Sequence, residues 1–293
     1  RRSSDLYNSG SVYIKLILAH EQSMIFVMKN LIVQILNKTA QEMDTPQMFG
    51  CFHIAISLTA AVLAVLAAVW AARCVRRSED PDRRLISILA AAGWVLAVLE
   101  IYKQLFLYYI VNNGVYDWWY FPFQLCSVPM YLCILLPFAG HKTQRLFTTF
   151  MSGYTFISAA ATLVFPEDLL RPYAALTLHG FFWHGVLLFI SLVILFTGAA
   201  DASARGLARA GGLFAALCVI AVMINMAAEP AMQAASAAHT GITHSYAAMF
   251  YLNPYHISPQ PVVSTVQAAA GIPAGLVLYW TFNNIFSLVK NVF

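Results

Sequence analysis

The sequence predicts an all-α, polytopic membrane bundle of about seven transmembrane helices. Three observations carry that expectation: an apolar composition, long uncharged runs, and basic residues confined to alternate loops. Hydrophobic residues make up 60% of the 293 and charged ones only 10%, and the mean hydropathy is +0.68. A water-soluble core could not bury such a surplus. The 17 basic and 13 acidic residues fall mostly in short intervals between the apolar runs, so those intervals read as loops. The net charge of +4 is concentrated on one side, where it reports topology and offers no nucleic-acid surface.

A hydrocarbon layer of about 30 Å takes roughly 20 apolar residues per helical crossing. Seven stretches qualify: Gly50 to Ala72, Leu85 to Ile110, Phe121 to Phe138, Leu146 to Phe165, Tyr173 to Phe196, Ala208 to Ala228, and Val262 to Val289. The last is long enough to include an interfacial stretch before Ile272. Membrane strands would show short alternating segments, and these runs are continuously apolar. Arg73, Arg76, Arg77, Arg83, Arg84, Lys142, Arg145, Arg205, Arg209 and Lys290 all fall on one side of such a bundle. The opposite loops hold Arg171 alone, beside Asp117, Glu167 and Asp168. The positive-inside rule then places the N-terminus outside and the C-terminus in the cytoplasm of a cell membrane, as in a bacterial inner membrane.

Residues 43–293 form the seven-helix domain of this reading. Residues 1–42 are an N-terminal extension in which Ser11 to Asn37 is interrupted by Lys15, His20, Glu21 and Lys29, too polar to span. The segment reads either as an amphipathic helix lying in the interface or as an upstream extension or engineering remnant, with Met43 or Met48 as a sensible start. Five cysteines, Cys51, Cys74, Cys126, Cys133 and Cys218, lie within or at the edges of spans without a CxxC pair, which argues against a disulfide framework or zinc site.

Polar groups inside the spans are costly in hydrocarbon unless they are paired or face a wet cavity. They are His53, Glu100, Lys103, Gln124, Cys126, His179, His184, Asn225 and Glu229. At 1.5 Å per residue, Cys126 and His179 lie about 8 to 9 Å from the outer end of their spans, Lys103 about 10 Å, and Glu100 and His184 about 15 Å. His53, Asn225 and Glu229 lie shallower. All are in the outer half, as one pocket opening outward would require. Each has a plainer reading. Glu100 and Lys103, three apart, can neutralise each other; His53 can be a wet boundary residue; Asn225 and Glu229 can satisfy a helix end at Pro230; Cys133 and Cys218 can be small core residues. Ligation of a metal or haem by His179 and His184 is disfavoured, because a spacing of five puts them on different helix faces. No metal or other cofactor is expected.

Tyr120-Phe121-Pro122-Phe123-Gln124-Leu125-Cys126-Ser127-Val128-Pro129 is the most distinctive segment. Pro122 suits the beginning of the third helix. Pro129 cannot donate to the carbonyl of Leu125, which predicts a helix loosened beside Cys126. A thiol there becomes a nucleophile if an imidazole takes its proton, and His179, at matching depth, is the candidate base.

Met48-Phe49-Gly50-Cys51-Phe52-His53, the helix with Glu100 and Lys103, the Pro-x-Gln-Leu-Cys segment, the histidine-bearing fifth span and Ala248-Met249-Phe250-Tyr251-Leu252-Asn253-Pro254 together resemble the YwaF-like integral membrane family, which includes transmembrane protein 164. The resemblance covers Met43 to Tyr279. It implies a seven-helix protein of bacterial type, with a phospholipid acyltransferase among its eukaryotic relatives, working through a membrane-embedded cysteine. Cys126 matches that cysteine, and His179 or His184 the accompanying histidine. The family usually shows His where this chain has Gln124. Separately, Pro273 to Asn284 resembles the last helix of YidC-type insertases.

Three functions follow as alternatives. An acyltransferase would use Cys126 with a histidine, Gln124 or a freed backbone group at the oxyanion, and Glu100 and Lys103 to organise the pocket, acting on membrane lipids as phospholipid or acyl-lipid substrates. A transporter or receptor would use the same cavity for a ligand, with Glu100 and His184 as proton or cation sites. An insertase-like or structural protein would need no covalent chemistry. Oligomeric state is not legible.

Overall fold

The computed structural model describes residues 20, 22–238 and 244–252, and its regular elements are helical. Helix α1 covers residues 22–37. It is followed by α2 (Cys51–Arg76), α3 (Pro81–Phe106), α4 (Val128–Leu135), α5 (His141–Phe150), α6 (Phe156–Val164), α7 (Ala174–Thr197) and α8 (Ala204–Ala237). Wider π turns at Leu107–Val111 and Met151–Thr155 extend α3 and join α5 to α6. Among the described residues five stretches are long and apolar enough to cross a membrane: Cys51–Arg76, Pro81–Val111, His141–Val164, Ala174–Thr197 and Ala204–Ala237. The expected seventh span, 262–289, and the insertase-like segment lie outside the described residues.

Local chemistry sets the ends. Asp80 accepts from the N–H of Arg83 at 3.0 Å and Pro81 opens the first turn of α3. Ser203 accepts from Gly206 N–H at 3.0 Å to start α8. Gly198, at φ 72°, closes α7 in the left-handed conformation.

Two expectations need correction. The third apolar stretch is not a helix from Phe121: α4 begins only at Val128, has 8 residues and continues in a short 3-10 turn, Leu136–Phe138. Pro129 sits in its first turn, where the absent N–H is not needed, so the proline starts the helix instead of loosening it. Cys126 therefore lies in a turn, with Ser127 N–H bound to Gln124 O at 2.8 Å. The second correction concerns Pro230, which ends nothing: α8 runs through it to Ala237. A membrane helix tolerates an internal proline when neighbouring groups accommodate the freed carbonyl.

Helix α7 is the central post, packed on α2, α3 and α6, and α3 also packs on α4. Ala64, Ala68, Ala71 and Ala72 are buried on α2, and Gly185 of α7 comes against Ala60. Small residues of this kind let membrane helices approach closely. The outer surface remains apolar, with Leu66 61%, Trp70 67% and Val98 65% exposed, as a lipid-facing girdle would be. Helix α1 docks through Leu36 onto Phe106, Leu107 and Leu176, and Thr39 Oγ1 lies 2.7 Å from the Tyr102 hydroxyl.

Gly93 fixes the α3–α4 contact. A Cβ there would stand 2.7 Å from Cys133 Cβ and 3.1 Å from the backbone nitrogen of Ile134, whereas one on Gly180 would meet only the Leu169 side chain, at 2.9 Å from Cδ2. Gly93→Ala should therefore destabilise by about 1 to 3 kcal/mol, and Gly180→Ala by less, because a leucine tip can turn away. Thermal unfolding in detergent checks the order; equal losses would refute the packing argument.

Candidate functional site

A cavity of about 690 Å3 lies within the bundle. Its rim carries Trp119, Tyr120 and Arg171, and its wall includes Lys103, Gln124, Cys126, His179 and His184. Five of the nine polar residues singled out in the sequence thus border one space. Glu100, His53, Asn225 and Glu229 do not.

Glu100 stands behind the wall as the counter-ion that holds Lys103. Lys103 Nζ is 2.8 Å from Glu100 Oε1, and Gln104 Nε2 donates to the same oxygen at 2.7 Å. Glu100 is 5% exposed, and its Oε2 has no hydrogen-bond partner among the described residues. Gln104 Nε2 also donates to the Tyr120 carbonyl at 2.6 Å. The Tyr120 hydroxyl accepts from Arg171 Nη1, and the guanidinium lies 4.6 Å from the centre of the Tyr120 ring. One polar chain thus runs from Lys103 inside the bundle to Arg171 at the rim. Burial raises the Tyr120 phenol above its ordinary range against the opposing pull of Arg171, and burial with the charge of Glu100 pushes Tyr116 up to about 12. Both phenols stay protonated.

The two histidines share one logic. A carbonyl can only accept, so the 3.1 Å contact of His179 Nε2 with Leu99 O puts the proton on Nε2. The 2.8 Å contact of His184 Nδ1 with Gly180 O likewise puts it on Nδ1. The remaining nitrogen of each cavity-lining ring is an acceptor. The spacing of five does not separate the rings, because the cavity is wide enough to reach both faces of α7. His179 stacks on Trp183 at 5.7 Å between centroids, and Trp183 Nε1 donates to the Cys126 carbonyl at 3.1 Å. The cysteine turn is therefore fastened to the histidine helix.

The remaining candidates serve the backbone. His53 is 3% exposed, not a wet boundary residue: its Nδ1 accepts from Phe49 N–H at 2.9 Å, which leaves Nε2 to donate to Leu163 O at 3.0 Å. Gln124 donates to Ala248 O at 3.0 Å and accepts from Phe250 N–H at 2.9 Å. An amide engaged at both ends acts as a clamp on residues 248–250. Asn225 binds Met249 O at 3.1 Å, Leu252 O at 3.0 Å and Met249 N–H at 2.7 Å, so it secures residues 249–252, not a helix end. Glu229 accepts from Gln233 at 3.1 Å within α8. Among the described residues no group of three or more His, Cys, Asp or Glu converges on a metal position.

Sequence reasoning missed Arg171, Tyr120, Gln104 and Trp183. Arg171 carried a signal, as the lone basic residue in the loops of its side. Gln104 carried one as well, being a polar residue inside the second span one turn beyond Glu100, whereas Trp183 carried none, because its role is a contact to the backbone carbonyl of a distant segment.

The family model that matches the chain, over residues 48–279, is that of the TMEM164 family. No curated protein and no solved structure matches it.

Lys103 and Glu100 should behave as a unit. Glu100→Gln leaves the part-buried Lys103 ammonium without its counter-ion, and stability should fall by about 1 to 3 kcal/mol; adding Lys103→Met should restore part of the loss. A double-mutant cycle on unfolding midpoints measures the coupling. Strict additivity would show that the 2.8 Å contact carries no energy.

Proposed function

The chain belongs to the TMEM164 family, and we propose that it is a lipid acyltransferase-like enzyme of the cell membrane working through Cys126 and His179. What supports the reading is a single observation: a thiol, two imidazoles with an unprotonated nitrogen and an ammonium group border one cavity in an otherwise apolar bundle. A ligand cavity for transport would need no nucleophile. An acyl-transfer site needs a nucleophile, a base and a positive charge near the oxyanion.

In the proposed first step the unprotonated Nδ1 of His179 takes the Cys126 proton, and the sulfur attacks the ester carbonyl carbon of an acyl lipid. The tetrahedral oxyanion forms beside the Lys103 ammonium. It collapses with cleavage of the C–O bond, and the leaving alkoxide takes the proton from the imidazolium, which gives a lyso-lipid and acyl-Cys126. In the second step His179 deprotonates the hydroxyl of an acceptor lipid, the new alkoxide attacks the thioester, and the departing thiolate recovers the proton. His184, with its free nitrogen on the other side of the ring, is the second choice for the base. The same reading takes the full chain as a seven-span bundle of bacterial type, N-terminus outside, with the cavity facing outward.

An alkylating lipid-like probe should modify Cys126 in preference to Cys133, which is 0% exposed and sits 3.5 Å from the Met151 sulfur. Cys126→Ala should abolish acyl transfer by a folded protein, and His179→Ala should lower it about 10²- to 10⁴-fold. Retained transfer by Cys126→Ala would sink the covalent mechanism and leave the cavity as a ligand site.

Orientation has its own test. Arg76→Cys, Lys142→Cys and Arg205→Cys should resist an impermeant thiol reagent in intact cells and react after permeabilisation. Labelling of the three in intact cells would reverse the topology.

A further inference from the structure

We propose that Arg171 is the anchor for the phosphate group of a glycerolipid whose ester reaches Cys126. The inference deepens the acyl-transfer reading, on which it rests for what happens to the lipid, though binding itself can be measured without turnover.

The first support is placement. Arg171 lies three residues before α7 begins at Ala174, against the Tyr120 ring, and Trp119 lines the same cavity. Such aromatics mark the interface between hydrocarbon and water, where lipid phosphates sit. His179 is five residues below Ala174, about 8 Å deeper at 1.5 Å per residue. In a glycerolipid only the short glycerol unit separates the phosphate from the nearest ester carbonyls, whereas the acyl chains continue well beyond them. A phosphate held at the rim would bring those esters toward the thiol and leave the chains to the apolar remainder of the cavity.

The second support is preorganisation. Arg171 Nε donates to the Asp168 carbonyl at 3.1 Å, Nη1 donates to the Tyr120 hydroxyl, and the cation rests on the Tyr120 ring. Tyr120 is in turn held by Gln104. The guanidinium is thereby aimed with the donors of Nη2 still available. Because Tyr120 receives a hydrogen bond from Arg171, its own hydroxyl hydrogen is available for a second contact with the same anion. A planar guanidinium beside a phenol is a strong phosphate recogniser. Asp168 also lines the cavity.

The full-length Cys126→Ala protein, which binds without turnover, is titrated by native mass spectrometry with dihexanoyl phosphatidate and with dihexanoylglycerol. These differ only in the phosphate. Arg171→Gln should weaken phosphatidate about 10- to 100-fold, the range of charge-assisted hydrogen bonds, and leave dihexanoylglycerol unchanged. Arg171→Lys should recover part of the affinity. Equal weakening of both lipids would reduce Arg171 to a structural prop for Tyr120 and overturn the proposal, as would no weakening of either. Inorganic phosphate bound as tightly as phosphatidate would also overturn it, since the site would then serve a free anion. A failed acyl-transfer assay would leave these binding outcomes intact, so the two readings can fall separately.

Discussion

The polar chain that reaches Arg171 starts from the ion pair between Lys103 and Glu100. Two charges removed from water lose hydration that their mutual attraction repays only when further hydrogen bonds complete the geometry. Gln104, one residue beyond Lys103, supplies such a bond to Glu100 Oε1. Its second bond, to the Tyr120 carbonyl, ties the pair to the loop that precedes Cys126. The loop is thus shaped by a requirement that originates inside the helix. Tyr120 can hold Arg171 at the rim only because its own backbone is held from within.

A related constraint governs residues 248–252. Irregular backbone beside membrane helices must have its N–H and C=O groups satisfied by protein, because no water is at hand. Gln124 and Asn225 do this together, meeting the carbonyls of Ala248, Met249 and Leu252 and the N–H groups of Met249 and Phe250. Phe250, at φ 54°, is then kept in a conformation that few side chains adopt. The turn holding Cys126 is braced from one side by this clamp and from the other by Trp183. A cysteine outside any helix is in this way held as firmly as one within.

The spans were legible because length and polarity in a membrane are set directly by the thickness of the hydrocarbon, and the helices over Cys51–Arg76 and Ala174–Thr197 follow the apolar runs within a few residues. The polar residues within the spans were legible too, and of them Lys103, Cys126, His179 and His184 line one cavity. Rotation about the helix axis was not. His53 and His179 look alike in sequence, yet one turns toward the end of α6 and the other toward α3. Pro129 misled for a similar reason, since a proline that breaks a helix and one that begins it differ only in where the upstream chain goes. Asn225 and Gln124 read as site residues because an amide in hydrocarbon demands a partner, and sequence cannot say that the partner is backbone.

The charge balance of the proposed chemistry fits such surroundings. Glu100 and Lys103 cancel, and each histidine gives its one proton to a carbonyl. Transfer of the thiol proton to His179 would create an imidazolium and a thiolate side by side, so that the cavity gains no net charge. An oxyanion formed later would stand between that imidazolium and Lys103. A reaction requiring an isolated charge would have to overcome the full desolvation penalty of the apolar bundle; one that only redistributes charge among neighbours escapes it. On this argument the role of Glu100 is not to react. In the proposed chemistry it would keep Lys103 in place at no net charge, so that a cation is already present where negative charge has to develop.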